Sequence, residues 1–217
     1  MNIEKEIRKK YMNRTWNNEI TEVIIEFVIN FQKTFSKKYI KRILKRLDEL
    51  KEIKYEYNDT KYQASSKRDY IVFFKKIDDK TQFKYILQHE LFHFIQKENS
   101  DFEKIPKAYE KILNKEIQIE LLEEVFVQYF TAKINNKKPE YQIKNNNGEI
   151  TKYWLNECYK NIVWLGEELE NKIGIHAMLN MYMDDRIYIK QIKKYDKKYG
   201  KNAFALYIKQ ICQLSKK

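Results

Sequence analysis

Three histidines occur in the 217 residues, and two of them stand four apart in the stretch YILQHELFHFIQ, where Glu90 directly follows His89 and His93 closes the group. On a helix, residues i and i+4 lie one above the other on the same face, so both imidazoles can aim at one point. Two imidazole nitrogens that converge in this way make a site for a transition metal, zinc above all. Glu90 is turned by about 100° around the helix, too far to share that ligand position and near enough to reach a water beside the ion. Zinc brings the pKa of such a water toward neutrality, and a neighbouring carboxylate can take its proton as it attacks. The pattern H-E-x-x-H therefore has a mechanism behind its spacing. Its surroundings agree, because Leu91 and Phe92 are uncharged and Ile86, Leu87, Phe94 and Ile95 make the helix apolar enough to be buried.

Two histidines do not complete a catalytic zinc site, which takes three protein ligands and an open position. A continuation to a third histidine, H-E-x-x-H-x-x-G-x-x-H, would need a glycine and then a histidine where this chain has Gln96 and Asn99, so that class is excluded. Met178, Met181 and Met183 read as helix core rather than as a turn beneath a metal. A carboxylate on a later helix is the remaining source. Glu123 and Glu124 are adjacent acids in the otherwise apolar run IELLEEVFVQYFTAKI, and burying an unpaired acid is costly unless a cation offsets it. Periodicity leaves both open: Glu124 shares a stripe with Leu121 and Gln128, Glu123 one with Glu120 and Val127.

The elements that must position these groups follow from hydrophobic period. Helices are expected over residues 2–12, 17–33 and 36–51, the second on the spacing of Ile20, Val23, Ile24, Phe27, Val28 and Phe31. The pieces EIKYEYND, KYQAS and DYIVFFKKI read as a small antiparallel sheet, with the strand Tyr70–Lys76 offering its edge to an extended substrate. Asp78 or Asp79 should cap the HELFH helix, which starts near Thr81. After a polar stretch with Pro106, a long helix is expected over 108–134, then a loop over 135–150, then three helices broken near Gly174 and Gly200.

Composition narrows the class. With only 4 Gly and 2 Pro, and 43% apolar residues, the chain reads as helical and globular. No secretory h-region and no apolar run of membrane-spanning length occurs, and Cys158 and Cys212 lack metal spacing. The expectation is a cytoplasmic protein with reduced thiols and no membrane contact. The net charge of +12 comes with Lys and Glu mixed along most of the chain. It is read as a solvated face rather than as a nucleic-acid surface.

Together, HELFH and the later acidic helix resemble the gluzincin branch of the zincin metallopeptidases. That branch pairs H-E-x-x-H with a Glu ligand on a second helix, often in the form E-G-x-T-E-x-x-T. The segment EVFVQYFT, Glu124 to Thr131, is similar to that second motif and places the ligand at Glu124. It departs from the motif at Val125, Val127 and Gln128. The resemblance covers about residues 70–134. Downstream, CYKNIVWLGEELENKIGIHAMLNMYM looks like the segment that follows the Glu helix in small members of that branch, with Tyr159, or else His176, as the group that stabilises the oxyanion.

The resemblance implies a single α+β domain over 1–217, mainly α and zincin-like. Residues 1–50 would form an N-terminal helical segment. Residues 51–134 would hold the antiparallel sheet, the HExxH helix and the Glu-ligand helix, and 151–217 a helical lower lobe. It implies a zinc-dependent metallopeptidase acting on a peptide or protein. His89, His93 and Glu124 would be its metal ligands and Glu90 and Tyr159 its catalytic groups. The alternatives are an inactive zincin-fold scaffold, against which Glu90 argues, and a mobile-element regulator whose N-terminal helices bind DNA through a basic stripe.

Overall fold

The computed structural model describes residues 3–12, 16–35, 37–58, 62–96, 118–136, 140–144, 150–154 and 157–214. Side chains are described for 4–12, 16–35, 37–58, 62–96, 122–136, 162–184 and 190–210. The chain is mainly helical and groups into two compact units. The first is Met1–Lys97 with Lys133–Lys137, and the second is Glu98–Ala132 with Lys138–Lys217.

In the first unit, α1 (Ile3–Tyr11), α2 (Asn18–Thr34) and α3 (Ile40–Glu49) precede a small sheet and the HELFH helix α4 (Lys80–Gln96). Asn17 caps α2, its Oδ1 accepting from the Ile20 amide at 2.8 Å, and the predicted stripe from Ile20 to Phe31 is buried. Asp79 caps α4 in the same way, accepting from the Gln82 amide at 2.7 Å. α4 is buried on nearly every side, as expected of a helix that is apolar around most of its circumference. Phe92 lies edge-on to Phe27 at 4.9 Å and close to Phe31 and Phe35. Arg46 of α3 is 2% exposed; its guanidinium lies over the Phe94 ring at 4.8 Å and donates to the Phe94 carbonyl at 3.1 Å. That carbonyl is one of the last four of α4, which have no partner within the helix.

The sheet corrects two expectations. Its strands β1 (Glu52–Tyr55), β2 (Ala64–Ser66) and β3 (Tyr70–Phe73) lie in the order β1-β3-β2. β2 and β3 are antiparallel but β1 and β3 are parallel, so the sheet is mixed rather than antiparallel. Strand 70–73 is central and bonded on both sides, so it has no edge to offer a substrate. YIVF is the most apolar of the three pieces, and burial draws it between EIKY and ASS. The chain reverses twice, from β1 to β2 and again between Ser66 and Tyr70, which leaves β1 and β3 pointing the same way.

Charges on the N-terminal helices are mixed. Arg8 pairs with Glu4 and Glu22, and Lys10 pairs with Asp48. The basic stripe that a DNA-binding N-terminus would need is interrupted by these acids.

The second unit begins its described part with α5 (Gln118–Asn135), whose last turn belongs to the first unit; residues 108–117 of the expected long helix lie outside the described residues. A hairpin follows, β4 (Glu140–Lys144) against β5 (Ile150–Trp154), with Tyr141 opposite Tyr153 and Ile143 opposite Thr151. It replaces the loop expected over most of this stretch. Asn and Lys content favours a loop there, and the alternation of apolar and polar residues in EYQIK outweighs that content. Then come α6 (Glu157–Ile173), α7 (Ile175–Met183), α8 (Asp185–Tyr199) and α9 (Ala203–Leu214). Breaks fall at Gly174 and Gly200, both at positive φ, which glycine adopts without cost. A further break at Asp184, which is extended, makes four helices instead of three. Phe126 and Phe130 stack with each other and meet Tyr182, while Met178, Met181 and Met183 are buried, in keeping with a core role. Among the described residues no helix is long and apolar enough to cross a membrane.

Candidate metal centre

Helix α4 brings His89 and His93 together as its period requires. Their Nε2 atoms stand 3.2 Å apart, with ring planes inclined at 71°. Two nitrogens held about 2.0–2.1 Å from one tetrahedral zinc stand about 3.3–3.4 Å apart, so the two imidazoles already have the separation of a chelating pair. Among the described residues one group of His, Cys, Asp and Glu side chains has metal-ligand proximity: one ligand atom each from His89, His93 and Glu124, all within 4.8 Å of one another. Glu123, next in the chain, is outside it. Two imidazole nitrogens and a carboxylate oxygen are a donor set that suits zinc.

Glu90 is 7% exposed. Its position next to His89 places it on a different bearing from the chelating face, as the 100° step per residue dictates.

α5 carries Glu124, and its C-terminal end is tied to α4 by a bond that sequence reasoning missed. Gln88, wholly buried beside His89, accepts at Oε1 from the Asn135 Nδ2 at 2.6 Å. Its own Nε2 is buried without a hydrogen-bond partner, as is that of Gln96 at the end of the helix. The available signal was a pair of amides, Gln88 and Gln96, on an otherwise apolar helix, since buried amides need partners. Gln128, one turn after Glu124, is buried at 3% exposure.

Comparison with models of known protein families, with curated proteins and with solved structures finds no match to this chain. The site therefore rests on its own geometry.

Around α5, the second unit supplies a further contact that the sequence did not announce. The Tyr129 hydroxyl donates to Glu170 of α6. Burial and then that bond push the Tyr129 phenol well above its ordinary range, so it remains a donor at all ordinary pH. Gly166 of α6 faces the base of the Tyr129 side chain, where a methyl group would collide.

Of the two candidates for the oxyanion role, Tyr159 lies in the first turn of α6, and its side chain lies outside the described residues. His176 is exposed in the first turn of α7 and is not part of the metal-ligand group.

Proposed function

We propose that the protein is a zinc-dependent metallopeptidase of the gluzincin kind. The observation that carries this reading is the group formed by His89, His93 and Glu124, with its 3.2 Å separation between imidazole nitrogens and a buried Glu90 next in the chain. His89 and His93 would hold the ion through Nε2, and Glu124 through a carboxylate oxygen. A bound zinc supplies Lewis acidity, which makes a water nucleophilic near neutral pH.

Glu90 accepts the proton of the attacking water at its carboxylate and delivers it to the departing amine, acting as base and then as acid. Its burial serves this role, since a carboxylate shielded from bulk solvent exchanges its proton with the substrate rather than with the medium. Tyr159 remains the proposed donor to the developing oxyanion. An extended peptide would add its backbone to the outer edge of β2, the edge strand packed against α4, in place of the central β3. A scaffold without chemistry would have no use for a buried acid at position 90.

Metal analysis and a peptide-library digest test the reading together. The purified chain should hold about one zinc and cleave peptides. Glu90→Gln should keep the zinc and lose at least about a hundredfold in hydrolysis, the scale of general-base catalysis. If the wild-type chain neither retains zinc nor takes it up on titration, the reading fails. If Glu90→Gln releases the metal, Glu90 is a ligand and its assigned role is wrong.

A further inference from the structure

The mixed charge of the linear sequence conceals a segregated face on α8. Taking Lys190 as the origin and 100° per residue, Lys193, Lys197, Lys190, Lys194 and Lys198 fall in that order within an arc of about 140°. All five are exposed. The opposite side carries Ile192 and Tyr195, both buried, and Tyr199, whose ring packs on Tyr195 at 4.7 Å. The one acid among residues 190–199 is Asp196. It lies outside the arc and is engaged in starting α9, its Oδ1 accepting from the Phe204 amide at 2.9 Å. Ion pairs among the described residues, such as those of Arg8, Lys10 and Lys172, leave these five lysines out.

The density of this charge is high. Five cations over the eight steps from Lys190 to Lys198 occupy about 12 Å of helix axis, or one per roughly 2.4 Å. Duplex DNA carries one phosphate charge per about 1.7 Å. The shape points the same way. An arc of 140° on a convex helix sends Lys193 and Lys198 to opposite flanks. A flat anionic membrane would meet only the middle three lysines, whereas the walls of a major groove about 12 Å wide would meet all five. Among the described residues, the apolar side chains Ile192 and Tyr195 of α8 are already used in the core of its own unit and offer nothing to a bilayer.

We propose that the exposed face of α8 binds the phosphate backbone of duplex nucleic acid. Among the described side chains the arc holds lysines alone, point charges that pair with phosphate oxygens, so the contact proposed is to the backbone of the duplex. This inference stands apart from the metal centre and does not rest on it.

The test is binding of the full chain to a fluorescent 20-base-pair duplex, measured across a salt series. Five phosphate contacts give a slope of log K against log salt near about −4.5, a loss of several hundredfold between 50 and 200 mM salt. Changing Lys190, Lys193, Lys194, Lys197 and Lys198 together to Gln, a substitution that suits a helix, should weaken binding at least about 100-fold and flatten the slope by about 4. The same five changed to Arg should retain both. A control with Lys33, Lys37, Lys41, Lys45 and Lys67 changed to Gln removes the same charge elsewhere and should bind nearly as the wild type does. Circular dichroism and melting temperature verify that each variant folds. Equal loss in the control would overturn the proposal in favour of net charge alone. So would a duplex affinity insensitive to the α8 changes. Failure to bind duplex, with the same lysines instead holding vesicles of 30% phosphatidylserine or an acidic peptide, would overturn it in favour of that partner.

Discussion

Replacing Gly166 by Ala should destabilise the protein, although the substitution favours a helix. A Cβ at position 166 would stand 2.5 Å from both Cβ and Cγ of Tyr129 and 2.8 Å from Cδ2. Ordinary contact needs about 1 Å more. The obstructing atoms are at the root of the Tyr129 side chain, so a rotamer change cannot remove them and the helices themselves must separate. Overpacking of this kind costs about 1–3 kcal/mol. Separation also stretches the charge-assisted bond from Tyr129 to Glu170, a class of bond worth about 1.5–3 kcal/mol. Against these stands a gain of about 1 kcal/mol from replacing Gly in a helix. The balance is a loss of about 2 kcal/mol, to be read from urea unfolding at unchanged slope. In a Tyr129→Gly background, which lacks Cβ and Cγ alike, the collision is gone, and Gly166→Ala should then stabilise by about 1 kcal/mol, a reversal of sign that a double-mutant cycle measures. Stabilisation by Gly166→Ala in the wild-type chain would refute the reasoning.

Three further substitutions probe the frame around the site. Asp79→Ala removes the cap of α4 and should cost about 1 kcal/mol in chemical denaturation. Arg46→Met keeps much of the volume but strips the Phe94 carbonyl of its donor and leaves Glu49 without its partner. A loss of about 2–3 kcal/mol is expected, and the amides of the last turn of α4 should exchange faster with solvent. Tyr129→Phe deletes only the hydroxyl and should cost about 1.5–3 kcal/mol; an unchanged melting temperature would show that the bond to Glu170 contributes nothing.

Some of this was legible in the residues and some was hidden by geometry. The HELFH helix could be read because a 3.6-residue period, an Asp two residues upstream of Thr81 and two histidines four apart all describe the same object. The three strands could also be located, but not their order. Strand order depends on which piece is most deeply buried, and chain adjacency misleads when YIVF moves to the middle. The hairpin 140–154 was concealed by its polar composition, since pairing such as Tyr141 with Tyr153 is a property of two segments together. The close approach at Gly166 and the bond from Asn135 to the buried Gln88 join residues 37 and 47 positions apart, beyond the reach of local pattern. The basic face of α8 was invisible for the opposite reason: Gln191, Ile192, Tyr195 and Asp196 interrupt the lysines in the chain, and only winding the helix gathers them.

The central claim is a zinc ion held by His89, His93 and Glu124, and its most direct test is zinc affinity in a matched pair of variants. Glu123 and Glu124 are neighbours on α5 and both are half-buried, so they differ chiefly in the direction they face, about 100° apart. Competition titration with a chelator should find zinc bound to Glu124→Ala more than about 100-fold more weakly than to the wild type, beyond the loss typical of a group that only supports a ligand. Glu123→Ala should bind within a few-fold of wild type. The reverse order would put Glu123 on the ion, and equal affinity in both variants would contradict a carboxylate ligand from α5 altogether.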